Sequence, residues 1–257
     1  MIVSTSFDPS QAVIDKARTV SARLGANYVP RRNYSLSQLT RAAGDDKLLV
    51  VSGHDLRYYD GQEPPLYFHP SMAFVRVKRL RKGESDPLLD VSGCRPGDHV
   101  LDCTAGLAAD AFVFSYAVGD SGRVTALESE PLIALIVGEG LKRYETGIAD
   151  ADAALRRIEM RCEDHWKTLS ELPDKSYDIV YFDPMFRRPI EESSSLQPLR
   201  TAANRRELAQ ASIAEAIRVA RKSVVMKEHK GSPEFGRLGF ERRHVNTSKI
   251  AYGVIQV

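Results

Sequence analysis

The chain has 257 residues, 43% of them apolar, and a formal net charge of +2. That length suits one main domain with a smaller appended one, and the apolar fraction can fill a sizeable core. The near-neutral balance excludes a globally basic nucleic-acid binder, so any such role has to come from local clusters. No apolar run reaches the roughly 18 residues of a membrane span. Met1-Ile2-Val3-Ser4-Thr5 lacks the charged and apolar regions of a secretory signal, which makes a cytoplasmic location the default expectation. The three cysteines, Cys94, Cys103 and Cys162, form no CxxC, and the histidines form no HxH or HxxxH pair. Neither a disulfide framework nor a metal site is expected.

The first segment reads as a small α/β unit. Ile2-Val3-Ser4 suits a strand. Asp8-Pro9-Ser10-Gln11 offers a cap, a first-turn proline and a capping-box glutamine, followed by Val13, Ile14, Ala17, Val20 and Leu24 at helical spacing. Gly25 can stop that helix. Ser35-Leu36-Ser37-Gln38 repeats the cap logic for a shorter helix ending near Gly44. Strands follow at Leu48–Val51 and Leu56–Tyr59, turned at Asp60-Gly61, and the prolines at 64, 65 and 70 mark a hinge.

Residues 71 to 92 read as two helical pieces broken around Gly83. Beyond Arg95-Pro96-Gly97-Asp98 the pattern alternates strand and helix. Strands fall at Val100-Leu101, Val124–Leu127, Ile158–Cys162, Ile179–Phe182 and Val224–Lys227, with one or two more in 244–257. Helices fall at 108–117, 130–143, a short piece after Cys162, and about 203–221. Such alternation predicts an α/β fold with a mostly parallel, Rossmann-like sheet covered by helices on both faces. The small unit spans 1–70 and the large domain 71–257.

Ligands in such sheets sit at the carboxyl ends of the strands, at the topological switch point. The first strand of the large domain runs into Asp102-Cys103-Thr104-Ala105-Gly106-Leu107-Ala108-Ala109-Asp110. Its small residues let a ligand approach the backbone, and the next helix offers its N-terminal N–H groups. One glycine is too few for a GxGxxG pyrophosphate loop. Glu128 ends the second strand, where a carboxylate can accept both hydroxyls of a ribose. Asp164 follows the third. Either could simply cap a helix. The loop after the first strand resembles the cofactor loop of class I methyltransferases, and beside that resemblance acids at three successive strand ends fit a cofactor with a cationic sulfonium and no phosphates.

The fourth strand runs into Asp183-Pro184-Met185-Phe186, which resembles the (Asp/Asn)-Pro-Pro-(Tyr/Phe) motif of amino-methyltransferases, and the chemistry that motif implies explains the residue types. An exocyclic amine on a base is a poor nucleophile, because its lone pair is delocalised. A carboxylate oxygen and a backbone carbonyl can accept its two N–H bonds and aim the lone pair at a methyl group. Proline contributes no competing N–H, and the aromatic ring can stack on a planar substrate. A plain turn with Asp183 as a helix cap fits the tetrapeptide taken alone.

The loop with Asp102, Thr104, Ala105 and Gly106 resembles the acidic-x-Gly-x-Gly-x-Gly signature of class I methyltransferases, with Thr104 and Ala108 in place of two glycines. Together with Leu127-Glu128 and Asp183-Pro184-Met185-Phe186, it resembles the RsmJ family, guanine-N2 methyltransferases of bacterial small-subunit ribosomal RNA, over about residues 97 to 257. The resemblance implies S-adenosylmethionine as cofactor and S-adenosylhomocysteine as product. It implies cofactor contacts at Ala109, Asp110, Glu128, Ser129, Asp164, His165 and Asp183, with Asp183, Pro184, Met185 and Phe186 as the catalytic tetrapeptide. It also implies an RNA partner; the expected assembly is a monomer or homodimer. Two departures stand out. The family's Gly-Arg-Asp is Ala108-Ala109-Asp110 here, and its proline after the tetrapeptide gives way to Arg187-Arg188-Pro189.

Basic clusters bear on the substrate. Arg76 and Arg79 lie on one helix with Lys78, Arg81 and Lys82, and Arg187 and Arg188 directly follow the tetrapeptide. Tyr28, Arg31, Arg32 and Tyr34 interleave aromatic and basic residues. Such groups suit phosphates and bases, or equally a solvated helix face. The expected function is methylation of an exocyclic amine of a ribosomal RNA base. The alternatives are a methyltransferase acting on a protein glutamine or a small molecule, and a non-catalytic adenosine-binding module.

Overall fold

The computed structural model describes residues 1–61, 64–184, 208–244 and 249–257. The small unit is a four-stranded sheet of β1 (Ile2–Thr5), β2 (Asn27–Tyr28), β3 (Lys47–Val51) and β4 (Leu56–Asp60), in the order β2-β1-β3-β4. β1 runs parallel to β2 and β3, and β4 returns antiparallel. Period-2 alternation sends Ile2 and Leu48 toward Leu39 of helix α2 (Leu36–Ala43), and Val3 and Leu49 toward Ala17 and Val20 of helix α1 (Gln11–Arg23). α2 starts with the expected capping box: Gln38 N–H donates to Ser35 Oγ (3.2 Å) and Ser35 N–H to Gln38 Oε1 (2.8 Å). It ends on Gly44 at φ 65°, the left-handed stop a glycine supplies without strain. α1 starts later than its proline suggests. Asp8 turns to φ 48° and Ser10 takes the cap, accepting from Val13 N–H.

The large sheet holds β5 (His99–Asp102), β6 (Arg123–Leu127), β7 (Ile158–Arg161), β8 (Tyr177–Phe182), β9 (Ala220–His229), β10 (Glu241–His244) and β11 (Ile250–Gln256). Their order is β10-β11-β9-β8-β5-β6-β7. The five strands β5 to β9 are parallel, β11 is antiparallel to β9, and β10 is antiparallel to β11. The chain leaves β5 for β6 and β7, then crosses to β8 on the other side. The switch point therefore lies between β5 and β8. The fold is the expected Rossmann-like α/β sheet, with a strand pair closing its far edge.

Helices α3 (Ser71–Arg81) and α4 (Pro87–Ser92) are the two pieces split around Gly83. α5 (Ala109–Val118), α6 (Pro131–Arg143) and α8 (His165–Glu171) stand where alternation puts them; the helix expected over about 203–221 is shorter, Gln210–Val219, starting after an extended Ala209 and giving way to β9 at Ala220. Periodicity misses α7 (Ala149–Arg157). Its buried stripe is Ala151, Ala154 and Leu155, a helical spacing carried by small side chains that hydrophobic patterning weighs lightly. β9 outruns its expected four residues because it pairs with both β8 and β11.

The two units share one core. Val3, Leu49 and Phe68 belong to the same apolar cluster as Val77, Phe112 and Ile136. Phe68 lies against Gly140 of α6 and meets Tyr144 edge-on at 5.8 Å, while Lys16 pairs with Glu139 at 2.5 Å.

Candidate active site

At the switch point, β5 and β8 are neighbours with Asp102 opposite Tyr181. β8 and β9 align Phe182 with Met226, so the next residues, Asp183 and Lys227, face each other across the strand ends. The loop after β5 is pinned on three sides. Asp102 Oδ1 accepts Thr104 N–H at 3.1 Å, Ala105 N–H reaches the Leu127 carbonyl at 2.9 Å, and Gly106 N–H donates to Glu128 Oε2 at 3.1 Å. Gly106 (φ 51°) and Ala108 (φ 57°) both adopt the left-handed conformation. Gly106 does so freely, whereas at Ala108, which replaces a family glycine, it costs about 1 kcal/mol. The resulting loop delivers α5 with its first residue, Ala109, exposed and its N-terminal N–H groups open.

Loop and motif are tied together: Asp183 N–H donates to Thr104 Oγ1 at 2.5 Å. Asp102 is 1% exposed, and the bond from Thr104 N–H is its support against desolvation. Burial outweighs that bond and pushes its carboxyl well above the usual range. Glu128 also lies above its ordinary value through burial, though Gly106 and Glu130 N–H groups both donate to it. Ser129 follows, half-buried beside it. Asp164 caps α8, accepting from Trp166 and Lys167 N–H groups, and half-buried His165 stands edge-on at 5.8 Å from the Phe182 ring. Desolvation depresses the His165 pKa, favouring a neutral imidazole.

Four groups behind Asp183 form a set that the sequence does not reveal. Lys227 Nζ donates to both Asp110 Oδ2 and Asp183 Oδ2 at 2.8 Å. Tyr181 Oη also donates to Asp110 Oδ2, at 2.8 Å, and Arg76 Nη1 to Asp110 Oδ1, at 2.5 Å. Arg76 clamps Asp86 with two further bonds of 2.7 Å. Arg76 is therefore an internal cation, not the solvent-facing phosphate contact its helix suggests. Arg79 is exposed and pairs with Glu84, and Arg31 is 6% exposed against the Phe7 ring. Asp110 is likewise turned inward, 4% exposed with both oxygens engaged. Lys227 is legible in one respect: it is the charged residue that follows the apolar run Val224-Val225-Met226, just past the last pair of β9 with β8. Met185, Phe186, Arg187 and Arg188 lie outside the described residues.

The donor set fits a cationic adenosyl cofactor. Three carboxylates, Asp102, Glu128 and Asp183, border the small-residue loop, and Lys227, the lysine at these strand ends, is engaged in ion pairs. That leaves acceptors for an ammonium and a ribose. A seven-stranded sheet of this order, with acids at these strand ends, defines a class I methyltransferase. The family model described as "Putative SAM-dependent methyltransferase" matches residues 37–240, and the chain belongs to that family of S-adenosylmethionine-dependent enzymes. It is 42% identical to the uncharacterized protein YpiP of Bacillus subtilis (strain 168) over 255 residues, 99% of each chain. It is 31% identical over 200 residues to ribosomal RNA small subunit methyltransferase J of Thioalkalivibrio sulfidiphilus (strain HL-EbGR7), covering 72% of this chain and 75% of that one. The crystal structure of a SAM-dependent methyltransferase from Neisseria gonorrhoeae superposes with a TM-score of 0.64 over 100% of this chain and 96% of that one, at 17% identity. That likeness speaks to the fold. Among the described residues no cluster could hold a metal ion, and no helix is long and apolar enough to cross a membrane.

Proposed function

We propose that this enzyme methylates an exocyclic amine of a ribosomal RNA base, guanine N2, with Asp183 and the Pro184 segment as the amine acceptors. The observation that carries the reading is the juxtaposition of Asp183 with the cofactor loop through the 2.5 Å bond to Thr104. The kinship with ribosomal RNA small subunit methyltransferase J supports the substrate class. Asp102 and Glu128 would hold S-adenosylmethionine, which when bound would supply an electrophilic methyl group. Asp102 would take its cationic end and Glu128 its ribose hydroxyls. Asp164, His165, Ala109 and Ser129, which follow the same strand ends, would complete the contacts to it.

The chain's own contribution is orientation and electrostatics. Asp183 accepts one N–H of the amine and keeps its lone pair directed, which is the kind of positioning that supplies most of the rate in an in-line transfer. Residues 1–70 and the exposed Arg79, with Arg187 and Arg188 after the tetrapeptide, are assigned to gripping RNA.

The decisive experiment uses labelled cofactor with separated ribosomal RNA, tRNA, DNA and protein fractions. Label is expected in small-subunit ribosomal RNA. Label confined to protein rejects the RNA substrate. Asp183→Ala is expected to fold, bind cofactor and lose transfer; unchanged turnover removes Asp183 from its role.

A further inference from the structure

Five charged groups form a continuous, largely buried chain that ends at the motif. Asp86 caps α4 and holds Arg76 of α3; Arg76 holds Asp110 of α5; Asp110 holds Lys227 of β9; Lys227 holds Asp183 after β8. Every interior link is fixed. Asp110 is held by Arg76, Tyr181 and Lys227, and the Arg76–Asp86 contact is a two-point clamp. Lys227 has three N–H donors and no acceptor. Two of them are engaged by Asp110 and Asp183, so its ammonium, itself largely buried, cannot swing away without giving up both of its ion pairs. Leaving a buried charge without its partner is strongly disfavoured.

The consequence falls on Asp183. Oδ2 is occupied by Lys227, and among the described residues Oδ1 has no partner. We infer that Lys227 is the positioning residue that fixes which atom of Asp183 meets the substrate amine, and that it makes a carboxylate obligatory there. The inference rests on the reading of Asp183 as amine acceptor. The motif this tetrapeptide resembles tolerates Asp or Asn, since either can offer an oxygen to an N–H. In this chain it cannot. An asparagine in place of Asp183 would give its one oxygen to Lys227, a donor that accepts nothing, and turn its NH₂ toward the amine. Donor would then face donor, and the amine would lose its acceptor. Lys227 thereby converts a two-way choice of residue into one.

The same contact sets the acid side of the pH response. Burial lifts the Asp183 carboxyl above its ordinary value, and Lys227 opposes that lift. The other charged or titratable groups that bear on it are Asp110, Arg76, Asp102 and Tyr181, and Tyr252 of β11 stands opposite Lys227. Removing Lys227 should raise the carboxyl further, because it takes away the opposite charge that holds it down.

The test is a four-way comparison of wild type, Asp183→Asn, Lys227→Met and the double variant. It measures methyl transfer to whichever acceptor the wild type labels. Asp183→Asn is expected to lose about 100-fold, as for loss of one well-placed polar contact. The double variant is expected to recover at least about tenfold over Asp183→Asn, because the amide is free to turn its oxygen outward. A lysine that merely supports the fold predicts the reverse, a double variant worse than either single one, and that result overturns the inference. If Lys227→Met does not fold, Lys227→Gln serves. In the Asp183→Asn background the glutamine oxygen can accept from the introduced NH₂ group, which leaves the introduced amide oxygen facing the amine. Carbon-detected titration of the Asp183 carboxyl needs no substrate and separates the two readings. A wild type that labels nothing sinks the methyltransferase assignment of Asp183. A carboxyl titration unmoved by Lys227→Met, or moved downward, sinks the positioning role.

Discussion

Asp102 sits at the centre of an unbalanced charge distribution. Its near-complete burial raises its pKa, and Asp110 and Asp183 nearby push the same way. A carboxyl whose folded pKa is raised favours folding below its unfolded value and loses that contribution as pH rises through the folded value. The free protein should therefore lose stability as pH climbs through the Asp102 transition. A cationic cofactor reverses the preference, because it favours the ionised carboxylate. Affinity for S-adenosylmethionine is expected to rise with pH across that window, with a proton released on binding. Calorimetry in two buffers of different ionisation enthalpy measures the release, and Asp102→Asn should abolish it. Proton uptake, or no linkage at all, would show that Asp102 does not meet the cationic end.

Among the elements, α8 separates two roles that the sequence leaves superposed. Asp164 stands where an adenosine contact is expected, and its carboxylate also accepts two N–H groups of the helix it caps. Asp164→Ala removes the cap and should cost about 1 kcal/mol. In a chain of this size that corresponds to a melting-temperature fall of about 2–4 °C. Asp164→Asn keeps a capping oxygen, so its melting temperature should stay near wild type. A loss of cofactor affinity in the Asn variant at unchanged stability assigns Asp164 to the cofactor; unchanged affinity leaves it a cap. The element boundaries show the same division. The Ser35–Gln38 capping box is local chemistry and is readable directly. The start of α1 is not, because Asp8 and Ser10 are both competent caps and the loop after β1 decides between them. α7 escapes patterning because its buried stripe carries little apolar bulk.

At the scale of the whole molecule, the joint between the small sheet and the large domain is a packing contact. A Cβ on Gly140 would collide with the Phe68 ring, so Gly140 is small because the segment entering the large domain crosses α6 there. Gly140→Ala improves helix propensity by about 1 kcal/mol, yet overpacking of this kind typically costs about 1–3 kcal/mol. The substitution is expected to lower the melting temperature despite the better helix former. A rise would show that Phe68 yields freely and that the two units are loosely joined. The continuity of the core across both units further predicts a single cooperative transition.

The sequence by itself determined the alternation of strands and helices, the parallel sheet, and the acids at three strand ends. Each of those depends on local periodicity or on a residue's place along one element. The tertiary structure alone decided what those charges face. Arg76 and Arg79 look alike on one helix in the sequence, but one is held between Asp86 and Asp110 and the other meets solvent. Asp110 and Lys227 are 117 residues apart, and only the crossing of the chain at the switch point brings them to one another. The strength of a charge depends on its burial and its partners. Both are set by strand order, which no window along the chain contains.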